Sequence, residues 1–210
     1  MKNLFIDTAS GRIIVAVISE NKILSIRNEV NGNDLSMRIF PIIDNVLKEA
    51  NVYPTDIDVI FVVNGPGSFT GVRIGVTIAK TMAWALKKKI IALSELELMA
   101  TTPFVGDYII PFIDARRDAS FAGIYDKDGN VVLEDQYISN DDLIKSIPNG
   151  KKGIFVSYDH IEKLNPTIPN IDIIKMIMKH QSDEARNPHE INPEYLKKTE
   201  AEENLEKSSL

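Results

Sequence analysis

A glycine-rich connection between a strand and a helix reads Asn64-Gly65-Pro66-Gly67-Ser68-Phe69-Thr70-Gly71-Val72-Arg73-Ile74-Gly75. Residues 59–63, just before it, are all apolar and mostly β-branched, which predicts a strand buried on both faces of a sheet. After it, apolar residues recur at helical spacing: Ile74, Ile78, Met82 and Leu86. The chain therefore turns sharply from the end of a buried strand into a helix.

The residues alone leave two uses of this turn open. Glycine allows positive φ angles and close backbone approach, so the turn can simply be tight. A helix N-terminus that follows glycines can also bind an anion. The spacing matches neither the phosphate loop of nucleotide hydrolases, which needs a Lys after the glycines, nor the dinucleotide fingerprint, in which a Gly would replace Thr70. The candidate contacts for an anion or a partner are Gly65, Pro66, Gly67, Ser68, Thr70, Gly71 and Arg73.

The same residues, N-G-P-G-S-F-T-G-V-R-I-G, resemble the signature of the TsaB (YeaZ) family of bacterial tRNA threonylcarbamoyladenosine biosynthesis proteins. The segment Pro193-Glu194-Tyr195-Leu196 is similar to a P-x-Y-L segment of that family. The resemblance implies an α/β fold of two duplicated lobes, as in the superfamily of actin, heat-shock chaperones and sugar kinases.

Repetition within the chain favours the same architecture. Phe5-Ile6-Asp7 recurs as Phe112-Ile113-Asp114, an offset of 107 residues, and Ala16-Val17-Ile18 then aligns with Gly123-Ile124-Tyr125. In each half, three predicted strands precede a helix and a further strand, which favours mixed sheets flanked by helices. We expect a first lobe over residues 1–103, a reduced second lobe over 104–192, and a C-terminal segment and tail over 193–210.

Composition limits the classes of protein that fit. The chain has 210 residues, a formal net charge of −6 and no Cys, so it has no disulfides or thiolate chemistry. The acidic balance argues against strong binding of nucleic acid by this chain alone. No apolar run approaches the ~20 residues of a membrane span, and Met1-Lys2-Asn3 enters a strand without a signal-peptide pattern. We expect a cytoplasmic protein.

Two helices are predicted in the first lobe, over residues 34–50 and 71–87. Pro41 interrupts the first, so we expect a kink or a second start there. A stripe of small residues on the second can pack on the chain's own sheet or admit a partner helix. The family resemblance implies that these helices pair with those of TsaD, or with a second copy of this chain. The interface residues expected on the second helix are Gly75, Ala79, Met82, Ala83 and Leu86.

Asp7 and Asp114 occupy equivalent places, each at the end of the first strand of a lobe. The resemblance makes them, together with Thr8, candidates for a magnesium–nucleotide site, because superfamily members that use ATP carry an acidic residue there. The turn after Asp114 is Ala115-Arg116-Arg117-Asp118, which lacks the glycines of a phosphate loop. The residues therefore favour a structural turn role for both aspartates.

The residues give little support to a protease. The three His residues, His160, His180 and His189, do not have the spacing of metal ligands on a helix. Many family members read H-S-E on the first-lobe helix, where this chain has Leu35-Ser36-Met37. Ser68 does not lie in the G-x-S-x-G motif of a nucleophilic serine. We predict no metal ligands and no catalytic residue.

The resemblance implies a non-catalytic scaffold and activator subunit. Such a subunit partners TsaD, together with the ATPase TsaE, in forming threonylcarbamoyladenosine next to the anticodon of tRNAs that read codons starting with A. The implied cofactors, ATP or ADP and a metal, are held by the partners, and tRNA is contacted through the complex. The alternative is a small-molecule kinase or ATPase, motivated by Asp7, Asp114 and the signature glycines; a metallopeptidase is the weakest hypothesis.

Overall fold

The computed structural model describes residues 1–32 and 34–197, which form two compact units. Unit 1 comprises residues 1–103 and 170–193, and unit 2 comprises residues 104–169 with the described residues after Pro193. The tail from residue 203 onward, which the sequence predicts to be solvated, lies outside the described residues. Within the described part of the chain, no helix is both long enough and apolar enough to cross a membrane.

Unit 1 is built on a mixed sheet with the strand order β3-β2-β1-β4-β5. Its strands are β1 (Lys2–Asp7), β2 (Arg12–Ser19), β3 (Lys22–Val30), β4 (Val59–Gly65) and β5 (Lys89–Ser94). β1 is antiparallel to β2 and parallel to β4, and β4 is parallel to β5. The strands β1, β4 and β5 therefore end at the same edge of the sheet. Every residue of β4 is buried, as its continuous apolar sequence predicts.

Two long helices cover unit 1. Helix α1 (Leu35–Glu49) packs on β2 and β3, and helix α2 (Phe69–Leu86) packs on β4, β1 and β5. Of the two outcomes expected at Pro41, a kink or a second start, the second start does not occur, because one helix continues through this residue. Pro41 lies on the solvent-facing side, so the carbonyl group of Met37, which loses its helical partner, can bind water. The short helix α3 (Glu95–Met99) follows β5 directly.

Unit 2 repeats the beginning of unit 1 on a smaller scale. Its sheet has the order β8-β7-β6-β9, and β6 is antiparallel to β7 and parallel to β9, just as β1 relates to β2 and β4. This arrangement confirms a duplicated α/β fold with a reduced second half. The elements are β6 (Tyr108–Asp114), β7 (Ala119–Asp126), β8 (Val131–Ser139), α4 (Asn140–Lys145) and β9 (Gly153–Val156).

The internal alignment holds for the first strand of each half and slips in the second. Phe5 lies opposite Ala16, whereas Phe112 lies opposite Ala122 and not opposite Gly123. The turn between the paired residues Asp114 and Ser120 is one residue shorter than the turn between Asp7 and Ile14, which a constant offset of 107 does not capture.

Residues 170–193 belong to unit 1, although the sequence predicts them in the second lobe. The hydroxyl groups of Thr101 and Thr102 accept hydrogen bonds from the backbone N–H groups of Asp172 (2.7 Å) and Asn170 (3.1 Å). Helix α5 (Ile173–His180) then buries its apolar face in the core of unit 1. Its amphipathic pattern requires an apolar surface to cover, and unit 1 provides it.

The end of α5 is held by an ionic cluster on α3. The ring of His180 contacts the Glu97 carboxylate through Nε2 (3.0 Å) and the Asp183 carboxylate through Nδ1 (2.7 Å), and Lys179 also reaches Glu97 (2.7 Å). The hydrogen bond to Glu97 raises the pKa of His180. This histidine is a packing residue that fastens residues 170–193 to α3.

Candidate functional site

The signature turn packs against the chain's own β1–β2 turn, residues 8–11. The Ser68 backbone N–H donates a hydrogen bond to the carbonyl oxygen of Ala9 (2.9 Å), and the Thr8 hydroxyl donates to the carbonyl oxygen of Gly71 (2.7 Å). The Ser68 Oγ accepts from the Gly71 N–H (3.2 Å) and caps α2. The first turn of α2 is therefore fixed against residues 8–11.

This close approach requires three of the signature glycines. A Cβ atom would lie 2.4 Å from the Ala9 carbonyl oxygen at Gly67, 2.0 Å from the Thr8 carbonyl oxygen at Gly71, and 2.3 Å from the Thr8 Oγ1 at Gly75. Real side chains do not tolerate such distances. The sequence leaves two uses of these glycines open, a tight turn and the binding of an anion. The structure shows the first, tight packing within the chain.

The stripe of small residues on α2 faces the core of unit 1. Ala79 and Ala83 are 0% and 1% exposed, and Gly75 lies against Thr8. These three residues therefore pack on the chain's own sheet, which corrects their assignment to a partner interface; Met82 and Leu86 are half-buried. A spacing of four residues indicates close packing but does not specify the surface on which it occurs. The solvent-facing residues of α2 include Arg73, Thr77, Thr81 and Trp84.

Asp7 is fully buried at the end of β1. Its carboxylate accepts hydrogen bonds from the Ala9 N–H (2.7 Å) and the Ser10 hydroxyl (2.9 Å), and it interacts electrostatically with the buried carboxyl group of Glu95. Burial raises the pKa of Asp7 to about 6. Burial and the nearby charge of Asp7 raise the pKa of Glu95 well above its ordinary range. Burial thus favours the protonated form of both carboxyl groups.

Glu95 is the residue of this site that sequence reasoning missed. It is the first residue of α3 and lies at the edge where β5 and β1 both end, since both are parallel to β4. A parallel arrangement of β1, β4 and β5 predicts that residues following their carboxyl ends come together. Glu95 lies between Ser94 and Glu97, the cap residues of α3, and a glutamate in such a place is expected to be exposed to solvent. Only the order of the strands in the sheet would have indicated that it is buried beside Asp7.

Asp114 has a different environment in unit 2. Its side chain is exposed and accepts a hydrogen bond from the Arg116 N–H (2.8 Å). The next residues, Arg116, Arg117 and Asp118, all have left-handed φ angles between 55° and 63°. This geometry makes a tight hairpin turn between β6 and β7, and Asp114 stabilises it from the preceding strand. Over the described residues, no group of three or more acidic or histidine side chains is placed to hold a metal ion.

Three large apolar side chains in the first two turns of α1 and at the first residue of α2 are exposed. The segments that lead into both helices contact the same turn, because the backbone N–H groups of Asn31 and Ser68 donate to carbonyl groups of residues 8–11. We call these three residues together the helix-end surface. Its members and their exposed fractions are Met37 (74%), Phe40 (57%) and Phe69 (48%).

Comparison with known proteins gives concordant results. The family model described as TsaD: tRNA N6-adenosine threonylcarbamoyltransferase matches residues 26–178. The tRNA threonylcarbamoyladenosine biosynthesis protein TsaB of Bacillus subtilis is 31% identical, over 96% of both chains, and that of Escherichia coli is 32% identical over 62% of this chain and 57% of its own. The solved structure of YeaZ from Pseudomonas aeruginosa, 21% identical, superposes with a TM-score of 0.72 over 93% of this chain and 99% of its own.

A substitution of Gly71→Ala tests the contact between α2 and residues 8–11. The new Cβ would lie 2.0 Å from a backbone oxygen, which no side-chain rotation relieves. We expect the free energy of unfolding, measured by urea denaturation, to fall by about 3 kcal/mol. The control is Gly11→Ala, where φ is +74° but the space is open; its expected loss is about 1–2 kcal/mol. Equal losses would contradict the steric explanation.

A substitution of Glu95→Gln tests the buried carboxyl pair. Both carboxyl groups bind protons more tightly in the folded chain than in the unfolded chain, because their pKa values are raised by folding. The contribution of this pair to the free energy of unfolding is therefore present at about pH 4 and is lost as the pH rises past the pKa of Asp7, which is about 6. Gln retains the size and can donate to Asp7 but does not titrate. We therefore expect a shallower fall in the variant, measured by urea denaturation across pH 4 to about 8. Identical pH dependence would show that Glu95 carries no additional proton.

Proposed function

We propose that this chain, which belongs to the TsaB (YeaZ) family of tRNA threonylcarbamoyladenosine biosynthesis proteins, is a non-catalytic scaffold and activator subunit. Its partner is a tRNA N6-adenosine threonylcarbamoyltransferase of the TsaD type, joined by the ATPase TsaE. In this proposal ATP or ADP and the metal are held by the partners, and the assembly works on tRNA in the cytoplasm.

The helix-end surface is the observation that carries the proposal. Single exposed apolar residues are common, whereas a patch of several large ones marks protein–protein contacts, and we propose that Met37, Phe40 and Phe69 form such a patch. Burying a Phe side chain contributes about 1.5–3 kcal/mol, so Phe40 and Phe69 could anchor such a contact. The signature turn fixes the start of α2 against residues 8–11, and the Asn31 N–H donates to the Gly11 carbonyl oxygen four residues before α1 begins.

The polar groups of the signature region support a non-catalytic role. Asp7 and Thr8, which a magnesium–nucleotide site would need, hydrogen-bond the chain's own backbone and side chains. The glycines that would approach a phosphate approach residues 8–11 instead. These contacts support a structural role for these groups and favour the proposal over the kinase or ATPase alternative.

The extent of similarity also supports a partner role over a transferase role. The tRNA N6-adenosine threonylcarbamoyltransferase of Chlorobium luteolum is 40% identical, but only over 40% of this chain and 26% of its own length. Similarity to TsaB of Bacillus subtilis runs through nearly the whole chain. Reconstitution of the tRNA modification with and without this chain tests the proposed role, and full activity without it would contradict the proposal.

A substitution of Phe40→Asp tests the partner surface. It places a charge where we propose an apolar contact, so the Kd for the TsaD-type enzyme, measured by calorimetry, should rise tenfold or more. The matched control is Tyr53→Asp, because Tyr53 is also an exposed aromatic residue (73%) but follows the opposite end of α1. This control should leave the Kd within about threefold.

Sedimentation of the chain alone, with the same two variants, extends the test. A homodimer that Phe40→Asp dissociates and Tyr53→Asp preserves would show that the helix-end surface also pairs two copies of the chain. A heterodimer that forms equally well with both variants would refute the assignment of this surface.

A further inference from the structure

The segment that follows α5 in unit 1, residues 181–190, crosses the edge of β5 that faces away from β4, and we call this segment the strap. Its middle is joined to β5 by an antiparallel bridge, in which the Arg186 backbone N–H donates to the carbonyl oxygen of Ile90 (3.2 Å). A cavity of about 530 Å³ lies beside this bridge, lined on one side by Ile91 and Ala92 and on the other by residues of the strap. The strap therefore covers β5 without packing closely against it.

The two ends of the strap are held in different ways. Just after its far end, Ile191 is buried in the core of unit 1, and the carbonyl oxygen of Asn192 accepts a hydrogen bond from the Asn64 side-chain amide (3.1 Å). Just before its near end, His180 joins the turn that begins the strap to helix α3. The far end is thus anchored by burial, whereas the near end is anchored by ionisable groups.

Both ring nitrogens of His180 face a carboxylate. Nε2 lies 3.0 Å from an oxygen of Glu97 on α3, and Nδ1 lies 2.7 Å from an oxygen of Asp183 in the strap. A neutral imidazole carries one N–H group and can donate to only one of these carboxylates, whereas an imidazolium ion donates to both. The bridge from α3 to the strap therefore requires the charged form of the ring.

The charged groups around the ring come from three elements. The hydrogen bond to Glu97 of α3 contributes most to the raised pKa of His180, and the hydrogen bond to Asp183 of the strap adds to it against the opposing effect of burial. Lys179 of α5 also contacts Glu97 (2.7 Å), so this carboxylate keeps a cation when the ring is neutral. Whichever ring nitrogen then keeps its proton, the bridge is broken at the other nitrogen.

The strap shields backbone groups at the edge of β5. Because β5 is parallel to β4, alternate residues of β5 direct their N–H and C=O groups towards β4 and away from it. Ile90 directs its carbonyl group towards the strap, so Ala92, two residues further on, directs its peptide groups to the same side, where the cavity lies. An uncovered strand edge can pair with another strand, so natural sheets commonly cover such edges.

We propose that the strap is a pH-sensitive cover of the β5 edge and that the His180 imidazolium is its fastener. While the ring carries both protons, it links Asp183 to Glu97 and the strap lies across β5. When the ring loses a proton to solvent as the pH rises, one of its two contacts places a lone pair against a carboxylate. The strap then opens about its anchored end at Ile191. This inference goes beyond the proposed function and concerns the chain alone.

Hydrogen–deuterium exchange of the full chain, corrected for the intrinsic effect of pH on amide exchange, measures this opening in peptides that cover the strap. Because folding raises the pKa of His180, protection should be greatest below the ordinary value of 6.5 and should be lost as the pH rises through the raised value. The total fall should be about tenfold for each pH unit by which the pKa of His180, measured by NMR, exceeds its ordinary value. Peptides from β7, in unit 2, should keep their protection.

A substitution of His180→Gln removes the titrating ring but keeps a group that can donate to one carboxylate. The strap of this variant should be less protected than the native strap at about pH 6, and its protection should not change with pH. The matched control is His160→Gln, because His160 is an exposed histidine of unit 2. This control should retain the native pH dependence of the strap.

A second variant keeps the test decisive if His180→Gln does not fold. Asp183→Asn changes a half-exposed side chain and leaves the core intact, and it should make the fall in protection smaller than in the native chain. Native strap protection that does not change with pH would overturn the proposal. So would a fall of the same size in the native chain and in both variants, because the titrating group would then lie elsewhere.

Discussion

The Thr8 hydroxyl donates a hydrogen bond to the carbonyl oxygen of Gly71. The rest of unit 1 depends on the close approach of the two backbone segments that this bond joins, residues 8–11 and the start of α2. Helix α2 can approach residues 8–11 only because Gly67, Gly71 and Gly75 have no Cβ atoms. Beside this contact, the carboxyl groups of Asp7 and Glu95 are both buried, which raises the pKa of each. The contact also orients α2, and hence the exposed side chains of that helix. A substitution at this point affects packing, protonation and recognition together.

The strands of unit 1 were predictable because local pattern and global fold agree there. The apolar run of β4 needs burial on both faces, and the parallel neighbours β1 and β5 supply it. The placement of residues 170–193 was not predictable, because it depends on contacts far apart in the sequence, such as those of Thr101 and Thr102 with the backbone at 172 and 170. The amphipathic pattern of α5 shows that it covers an apolar surface but not which of the two units provides it.

At the candidate site, too, the sequence predicts the kind of contact that a residue makes but not the group that it contacts. The signature glycines predict close approach, and the structure contains it, but the approaching group is the chain's own backbone. The stripe through Ala79 and Ala83 predicts close packing, and it too is internal. The sequence does not distinguish Trp84 and Phe40 from core residues, because an aromatic residue looks the same in a sequence whether its side chain is exposed or buried. Exposure becomes visible only once the elements are placed.

The duplicated fold offers an obvious place to look for function, namely the strand ends with their aspartates and glycines. In this chain those groups satisfy one another: Asp7 bonds to residues of its own turn and interacts with Glu95, and the glycines accommodate Thr8 and Ala9. Stability is therefore a sufficient explanation for the presence of these groups. Substituting one of them would leave a buried polar atom unpaired or would block a backbone contact. Residues that contribute little to the core have no such explanation. Large apolar side chains such as Met37, Phe40, Phe69 and Trp84 cost solvation while adding little to packing. For that reason recognition is more informatively sought at the ends of α1 and α2 than at the strand ends.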